Sequence, residues 1–186
     1  MTSKVFNDNF YEEIKPHLYK HIGHELRLAR YVLDLGCGSC DLVKYLADSY
    51  HQQVTGVDVS SKSFPERSYS QYGIEFHCIR CNASNLNFIL DNSIDAIVSV
   101  WALHEMNQPE SVLTEVRRVL RPGGEVLIID FPKDSLAQKL WNENYYQPDE
   151  IKRFLVKAGF VDIRVRLVEQ WQVIWATGYH PPEEFA

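Results

Sequence analysis

Short apolar runs alternate with longer amphipathic stretches along most of this chain. The apolar runs predict strands, because each is short and bounded by turn-forming residues. The amphipathic stretches carry apolar residues at helical spacing and predict helices, and Pro16 should kink or delay the first of them. The predicted strands cover about 31–35, 53–58, 74–79, 94–100, 124–130, 160–166 and 171–177. The predicted helices cover about 10–28, 40–50, 62–70, 109–120 and the segment from Pro148 to Gly159.

Short apolar strands separated by helices imply a parallel sheet that helices cover on both faces, which is an α/β architecture. With 186 residues, 45% of them hydrophobic, the chain can bury one sizeable core, so we expect a single domain. No apolar stretch approaches the roughly 18 residues of a membrane span, and the N-terminus lacks the apolar region of a signal peptide. We therefore expect a cytoplasmic protein with no membrane partner. The net charge of −6 argues against a nucleic-acid partner.

The most informative motif is YVLDLGCGSCDLVKYL at residues 31–46, an apolar strand followed by a glycine turn and an amphipathic helix. Gly36 and Gly38 lack a Cβ atom, so the turn can approach a nucleotide-like ligand closely. Asp41 stands where the dinucleotide pattern G-x-G-x-x-G has its third glycine, and its carboxylate would repel a diphosphate. S-adenosylmethionine fits better, because it has no phosphate and carries a cationic sulfonium. Asp34 or Asp41 is expected near its amino acid end.

A second carboxylate follows the next predicted strand. Asp58 ends the run Gln53 to Asp58, about 20 residues beyond the glycines, as adenosine-binding sheets require. One carboxylate can accept hydrogen bonds from two ribose hydroxyls, and such charge-assisted bonds are strong. A turn or helix-capping role is the alternative, but the position after the glycine turn favours ribose binding.

The chain resembles the class I S-adenosylmethionine-dependent methyltransferases, particularly the small group often called type 11. The matching motifs are VLDLGCGSCDL at 32–42, VTGVDVS at 54–60, SIDAIVSVWALHEM at 93–106 and EVRRVLRPGGEVLIIDF at 115–131. The resemblance implies a Rossmann-like, doubly wound sheet of seven strands in the order 3-2-1-4-5-7-6, with the last strand antiparallel. It also implies that Gly36 and Gly38 contact the methionine part and that Asp58 contacts the ribose.

The resemblance extends the expected cofactor site beyond these three residues. The family usually has an acidic residue against the adenine amino group, where this chain has Asn82. An amide oxygen can still accept from that amine, while the Ala83 N–H donates to a ring nitrogen. The expected cofactor-binding residues are Asp34, Gly36, Cys37, Gly38, Asp58, Val59, Asn82, Ala83 and Trp101.

The same resemblance suggests how one methyltransferase domain, 1–186, is divided. A helical N-terminal cap would cover 1–29, the cofactor-binding core 30–131, a substrate-side loop 132–147 and a C-terminal helix with a hairpin 148–178.

His104 is the candidate catalytic residue. It follows the carboxyl end of a predicted strand, where open α/β sheets bind ligands, and transfer to a hydroxyl or ammonium releases a proton that a base can take. A packing or hydrogen-bonding role in a loop is the alternative. Glu105 would orient His104 or cap a turn.

Aromatic residues outside the core motifs are candidates for the acceptor pocket. Trp141, Tyr145 and Tyr146 lie in an unusually long connection, which is typical of a binding loop, and Tyr11 and Tyr19 on the first helix could close the cofactor. Aromatic faces attract a sulfonium or an amine. For any single ring, ordinary packing is the alternative. The expected substrate residues are Tyr11, His104, Trp141, Tyr145 and Tyr146.

The four cysteines form two C-x-x-C pairs, Cys37 with Cys40 and Cys78 with Cys81, which raises the possibility of zinc. Residues 74–81 are predicted as a strand, so Cys78 and Cys81 point to opposite faces. Cys37 lies inside the cofactor turn, where a metal would compete with the ligand. We expect small buried thiols without a metal or disulfide.

These patterns predict an S-adenosylmethionine-dependent methyltransferase that acts on a small-molecule acceptor. One alternative is a non-catalytic protein that binds S-adenosylmethionine or S-adenosylhomocysteine, since no base is unambiguous. An NAD-dependent oxidoreductase is disfavoured by Asp41 and by the lack of a hydride-transfer motif. The acceptor atom and the oligomeric state are not determined by the sequence.

Overall fold

Seven strands form one sheet in the order β3-β2-β1-β4-β5-β7-β6 in the computed structural model, which describes residues 9–66 and 70–182. The five neighbouring strands β3, β2, β1, β4 and β5 run parallel to one another, and β7 runs antiparallel to both β5 and β6. The predicted fold class, strand order and antiparallel last strand are therefore confirmed. The strands are β1 Tyr31–Leu35, β2 Gln53–Asp58, β3 Phe76–Arg80, β4 Ile94–Val100, β5 Leu120–Asp130, β6 Val161–Val168 and β7 Val173–Tyr179.

Among the described residues, one helix precedes β1 and further helices connect β1 to β2, β4 to β5 and β5 to β6. Proline begins both α3 and α5, where its missing N–H leaves no hydrogen bond unmade. Gln147 and Glu150 form a capping box at the start of α5. The helices are α1 Phe10–Glu25, α2 Asp41–Tyr50, α3 Pro109–Val119, α4 Leu136–Trp141 and α5 Pro148–Lys157, with a 3₁₀ turn at Leu103–Glu105.

Pro16 lies inside α1 and does not delay its start. One helix prediction is wrong. Residues 61–66 form turns and bends instead of the helix expected over 62–70, of which 67–69 lie outside the described residues. Ser60 explains the difference in part, because its N–H binds Asp58 Oδ1 and its Oγ accepts from the Lys62 N–H. Such local bonds compete with helical ones.

Alternating side chains of the central strands build a core on each face of the sheet. Val32 of β1 packs with α1 and α2 on one face, whereas Leu33 packs with α3 and α5 on the other. Ala96 and Val98 of β4 follow the first face and Ile97 the second. The carboxyl ends of β1 and β4 lie side by side where the strand order reverses, which is where open α/β sheets bind ligands.

A disulfide joins Cys40 to Cys78, with their Cα atoms 6.6 Å apart, so the prediction that these cysteines are free thiols is wrong. The spacing of the cysteines along the chain relates them only within each C-x-x-C pair, and Cys40 and Cys78 belong to different pairs. The fold instead packs α2 against β2 and β3, which brings Cys40 at the start of α2 to Cys78 on β3. Cys37 and Cys81 remain free.

The structure also bears on the membrane question. Among the described residues, we find no helix with the length and apolar character needed to cross a bilayer.

We expect reduction of this disulfide to destabilise the protein. The two cysteines are 38 residues apart, and closing a loop of that size restricts the unfolded chain by about 3–4 kcal/mol. Denaturant unfolding should therefore shift to lower concentration in reductant, and Cys78→Ser should unfold like the reduced protein and no longer respond to reductant.

Cys81→Ser is the matched control, since Cys81 has a free thiol and the variant should keep the response to reductant. Thiol titration of the denatured, unreduced protein gives an independent measurement. Reaction of every cysteine would show that the bond is absent.

Candidate active site

The turn from β1 to α2 is fixed to the end of β2 by backbone hydrogen bonds. The N–H groups of Gly36 and Cys37 donate to Val57 O over 2.8 and 3.1 Å. Gly36 and Gly38 have φ angles of 74° and 51°, in the left-handed region. A Cβ on Gly36 would overlap the side chain of Ala102, whereas a Cβ on Gly38 would meet nothing within 4 Å. Only glycine fits at position 36 without displacing Ala102. The space over Gly38 is open and can accommodate a ligand.

Asp58 completes this turn from the end of β2. Its Oδ2 accepts from the Gly38 N–H at 3.0 Å, and its Oδ1 accepts from the Ser60 N–H at 2.8 Å. Each carboxylate oxygen has a second lone pair, so Asp58 retains acceptor capacity for hydroxyl groups.

A cavity of about 590 Å³ opens over the glycine turn. Its size is within the range of small-molecule sites. Seven of the predicted cofactor residues line it: Gly36, Gly38, Asp58, Val59, Asn82, Ala83 and Trp101. The other lining residues, which were not predicted as cofactor contacts, are Val57, Cys81, Ser84, Ala102, Glu105, Met106, Asn107, Gln108 and Val112.

Asn82 lines this cavity, but its side chain is engaged within its own turn. Asn82 Oδ1 accepts from both the N–H and the hydroxyl of Ser84, each at 3.0 Å. Both lone pairs of the amide oxygen are therefore used, and the amide NH₂ is the group left to contact a ligand.

Asp34 and Cys37, the two remaining predicted cofactor residues, do not line the cavity. Asp34 is buried in β1, and Cys37 is buried although it lies within the glycine turn. Burial, with a smaller contribution from the nearby Asp58 carboxylate, raises the pKa of Asp34 to about 7. Burial also raises the pKa of the Cys37 thiol, so this thiol is protonated at neutral pH. The Asp34 carboxyl group therefore gains or loses its charge near neutral pH.

Trp101 lies between the cavity and the aromatic residues beyond it. Its φ is 54°, an uncommon value for a large side chain, and its N–H donates to Ile129 O at 2.7 Å. The indole ring stacks on Phe131 with centroids 5.1 Å apart. Within the described part of the chain, its buried Nε1 has no hydrogen-bond partner. Unusual backbone of this kind is concentrated at functional sites.

The side chain of His104 is held by Asp130, the last residue of β5. His104 Nδ1 is 2.6 Å from Asp130 Oδ1, and the His104 backbone N–H donates to Asp130 Oδ2 at 3.0 Å. The Phe131 N–H also donates to Oδ1 at 2.8 Å. Because the Asp130 carboxylate can only accept hydrogen bonds, Nδ1 of His104 must carry a proton. Nε2 is then the ring nitrogen that can gain or lose one.

Glu143 occupies the space at His104 Nε2, where its Oε2 lies 3.2 Å away. Burial alone lowers the pKa of His104, but the hydrogen bonds to Asp130 and Glu143 and the charges of Asp130 and Glu105 outweigh it, so the net pKa is raised. Burial also raises the pKa of Glu105, although the charge of His104 opposes this. The His104 side chain is only 3% exposed. Access to Nε2 therefore requires Glu143 to move.

Most of the predicted acceptor residues meet in one aromatic cluster around Phe131. Tyr11, Trp141 and Tyr145 have ring centroids 4.6, 5.2 and 5.5 Å from that of Phe131. Tyr11 and Tyr145 are buried, and the Tyr11 hydroxyl accepts from the Ala137 N–H at 2.9 Å, so these two rings serve packing in this conformation. Trp141 is 47% exposed and is the ring open to an entering molecule.

Two of the predicted rings lie elsewhere. Tyr146 packs against Phe154 on the other face of the sheet, with centroids 5.1 Å apart. Tyr19 packs against Tyr45 at 5.7 Å. Neither belongs to the cluster around Phe131.

Besides the cavity-lining residues given above, sequence reasoning missed three residues around the His104 side chain. Asp130 ends an apolar strand with a carboxylate, the signal that identified Asp58, so it could have been found in the same way. Phe131 follows it directly. Glu143 lies 39 residues from His104 and has no sequence signal of its own.

Comparison with known proteins supports the resemblance that the motifs suggested. The sequence profile of a methyltransferase domain matches residues 33–128. The O-methyltransferase rstn1 of Aspergillus nomiae is 30% identical over 162 residues, which cover 77% of this chain and 70% of that protein. The O-methyltransferase cnsE of Penicillium expansum is 29% identical over 170 residues, which cover 83% of this chain and 61% of that protein. The chain thus spans less than two thirds of the length of cnsE.

Solved structures show the same fold. Phosphoethanolamine N-methyltransferase 2 of Haemonchus contortus, in complex with S-adenosyl-L-methionine, superposes with a TM-score of 0.70 at 18% identity, covering 82% of this chain and 49% of that one. With the profile match over more than half of the chain, the glycine turn and the strand order together lead to one assignment. This chain belongs to the class I S-adenosylmethionine-dependent methyltransferase family.

Proposed function

We propose that this protein transfers the methyl group of S-adenosylmethionine to a small-molecule acceptor that enters between Trp101 and Glu143. The observation that supports this proposal is that the cavity over the glycine turn extends to the segment that holds His104. The cavity over Gly36, Gly38 and Asp58 reaches Trp101 and Glu105, and Glu105 directly follows His104 in the chain. A cofactor site and a candidate acceptor site therefore adjoin.

The residues present fit this cofactor. The open space over Gly38 and the hydroxyl-binding capacity of Asp58 suit the methionine part and the ribose, respectively. Asn82, Ala83 and Val59 line the part of the cavity that suits the adenine ring. Asp34 and Cys37 are buried and do not line the cavity, and the Asp34 carboxylate supplies negative charge for a cationic ligand. When bound, S-adenosylmethionine supplies an electrophilic methyl group on a good leaving group.

Orientation and exclusion of water are the main tasks left for the protein. Trp101 and Phe131 provide stacked aromatic surface next to the cavity, and the exposed face of Trp141 adds to it. Tyr11 and Tyr145 back this surface as buried packing. Tyr146 is left out of the proposed acceptor site, because it packs on the other face of the sheet.

We propose His104 as the base for acceptors that must lose a proton. Asp130 keeps the proton of the imidazole on Nδ1, so the unprotonated ring would present the Nε2 lone pair to the acceptor. Glu143 must leave Nε2 when the acceptor enters. The acidic and aromatic surroundings favour neutral or cationic small molecules, consistent with the prediction against nucleic acid.

A non-catalytic protein that binds S-adenosylmethionine or S-adenosylhomocysteine is the second candidate. The observation in its favour is that His104 is almost fully buried, with Glu143 at its free nitrogen. Methyl transfer to any member of an acceptor panel would exclude it.

Binding of the cofactor gives the first test. We expect titration calorimetry to show micromolar binding of S-adenosylmethionine and S-adenosylhomocysteine and none of NAD. Asp58→Ala should weaken binding by about 1.5–3 kcal/mol, or roughly 10- to 150-fold, because a charge-assisted hydrogen bond is lost.

Asp149→Ala, which removes an exposed carboxylate on α5, is the control and should bind normally. Unchanged affinity in Asp58→Ala would remove the ribose assignment. Failure of both sulfur-containing nucleosides to bind the wild-type protein would remove the proposed function.

Cofactor affinity should rise with pH as Asp34 loses its proton. Its pKa of about 7 leaves it neutral below that pH, while a cationic ligand favours the charged carboxylate. Binding near pH 7 should therefore release a proton, measured by calorimetry in buffers of different ionisation enthalpy. The pH range of this measurement should end near pH 7.5, since the α-amino group of the cofactor itself titrates at about 8. Asp34→Asn should bind more weakly and lose the dependence, and an unaltered pH profile in that variant would contradict this role.

Loss of the imidazole at position 104 should slow turnover without affecting cofactor binding. For an acceptor that loses a proton, His104→Ala should lower kcat by about 10²- to 10⁴-fold, the usual contribution of a general base. The dissociation constant for S-adenosylmethionine should stay the same. His77→Ala, which removes an exposed histidine on β3, is the control. Full turnover by His104→Ala would show that another group, or none, takes the proton.

A further inference from the structure

We propose that His104, Glu105 and Glu143 form a binding site for one divalent first-row metal ion beside the cofactor cavity. One ligand atom from each of these residues lies within 4.8 Å of the other two. The residues come from two distant segments, the 3₁₀ turn after β4 and the connection between α4 and α5. Their convergence is a product of the fold.

The hydrogen bonds of His104 give this imidazole the arrangement of a metal ligand. Asp130 accepts the Nδ1 proton at 2.6 Å and is itself almost fully buried, so it fixes both the tautomer and the orientation of the ring. Metal-bound histidines commonly donate their second nitrogen to a carboxylate in this way. In the neutral imidazole, the Nε2 lone pair then faces Glu143 Oε2 at 3.2 Å. Two lone pairs at that distance repel each other unless a proton or a cation lies between them.

The charge around His104 Nε2 leaves room for a cation. Within residues 9–66 and 70–182, no lysine or arginine forms an ion pair with Glu105 or Glu143. The contacts that hold Glu143 involve neutral groups, as Gln138 Nε2 donates to its backbone O at 2.6 Å and the Tyr145 hydroxyl donates to its Oε2 at 3.4 Å. One imidazole therefore faces two carboxylates that lack another counter-charge.

The donor set also limits the class of ion. Ligand bonds of about 2.1 Å place neighbouring ligands about 3.4 Å apart in a tetrahedral site. Glu105 and Glu143 are exposed, so small side-chain rotations can close the present separations. Imidazole favours transition metals and carboxylates favour harder ions, so a mixed site suits ions such as Mn²⁺ or Zn²⁺. Three protein ligands leave open positions towards the cavity, which Glu105 also lines.

The sequence pointed to metal ligands only at the cysteines, where no metal was expected. An ion at His104 Nε2 would use the lone pair that the proposed base needs. The ion-loaded protein should therefore be inactive towards acceptors that give a proton to His104, whereas cofactor binding should persist.

Titration of the chelator-treated full chain with Mn²⁺ tests the site directly, with calorimetry and the electron paramagnetic resonance signal of free Mn²⁺ as readouts. Mn²⁺ is the chosen probe because it prefers oxygen and nitrogen ligands, whereas the sulfur atoms of the free cysteines Cys37 and Cys81 would select softer ions. We expect one ion per chain. Glu143→Gln and Glu105→Gln should each weaken binding at least tenfold, and His104→Gln should abolish it.

Glu75→Gln is the matched control, because Glu75 is an exposed glutamate 3.6 Å from the exposed His77 and lies outside the site. This variant should bind Mn²⁺ like the wild type. The absence of saturable binding, or equal binding by all variants, would overturn the metal site. Cofactor titrations on the same samples separate the proposals, since intact S-adenosylmethionine binding without Mn²⁺ binding rejects the metal site alone.

Discussion

The hydrogen bonds between the glycine turn and the end of β2 are the contacts on which the site depends. Val57 O accepts from two successive N–H groups of the turn, and Asp58 accepts from a third. These bonds hold β1 and β2 in register beyond the last paired residues and fix the turn as one wall of the cavity. A Cβ on Gly36 would overlap Ala102, so the connection after β4 packs directly against the turn. The cavity is thus bounded by backbone that cannot shift independently.

Asp130 has the equivalent role on the side of the proposed acceptor site. It joins the end of β5 to the 3₁₀ turn after β4 by accepting from the His104 backbone and ring and from the Phe131 N–H. The two carboxylates, Asp58 and Asp130, each end a parallel strand and each organise the loop beside it. Trp101 lies between the two halves, and its left-handed backbone and its stacking on Phe131 connect them.

Negative charge is concentrated along this edge of the sheet. Asp34 is buried beside Asp58, and Glu105 and Glu143 adjoin the buried pair of His104 and Asp130. Groups of like charge persist close together only if a ligand offsets them or if some are protonated. A cationic cofactor and a divalent ion would each relieve part of this repulsion. Ligand binding is therefore expected to be coupled to the protonation of the site.

The sequence by itself determined the alternation of strands and helices, the glycine turn and the position of Asp58 after β2, because local apolar periodicity and motif spacing are properties of neighbouring residues. The strand order was implied by the resemblance of the motifs to a known family. Seven of the nine predicted cofactor residues line the cavity, and His104, Tyr11, Trp141 and Tyr145 lie in one region. Only the tertiary structure decided which distant groups meet. The Cys40 to Cys78 bond, the contact of Glu143 with His104 and the separation of Tyr146 from the aromatic cluster all depend on how helices and loops pack across the sheet. Spacing along the chain does not encode those contacts, since they are set by the packing of segments far apart in sequence.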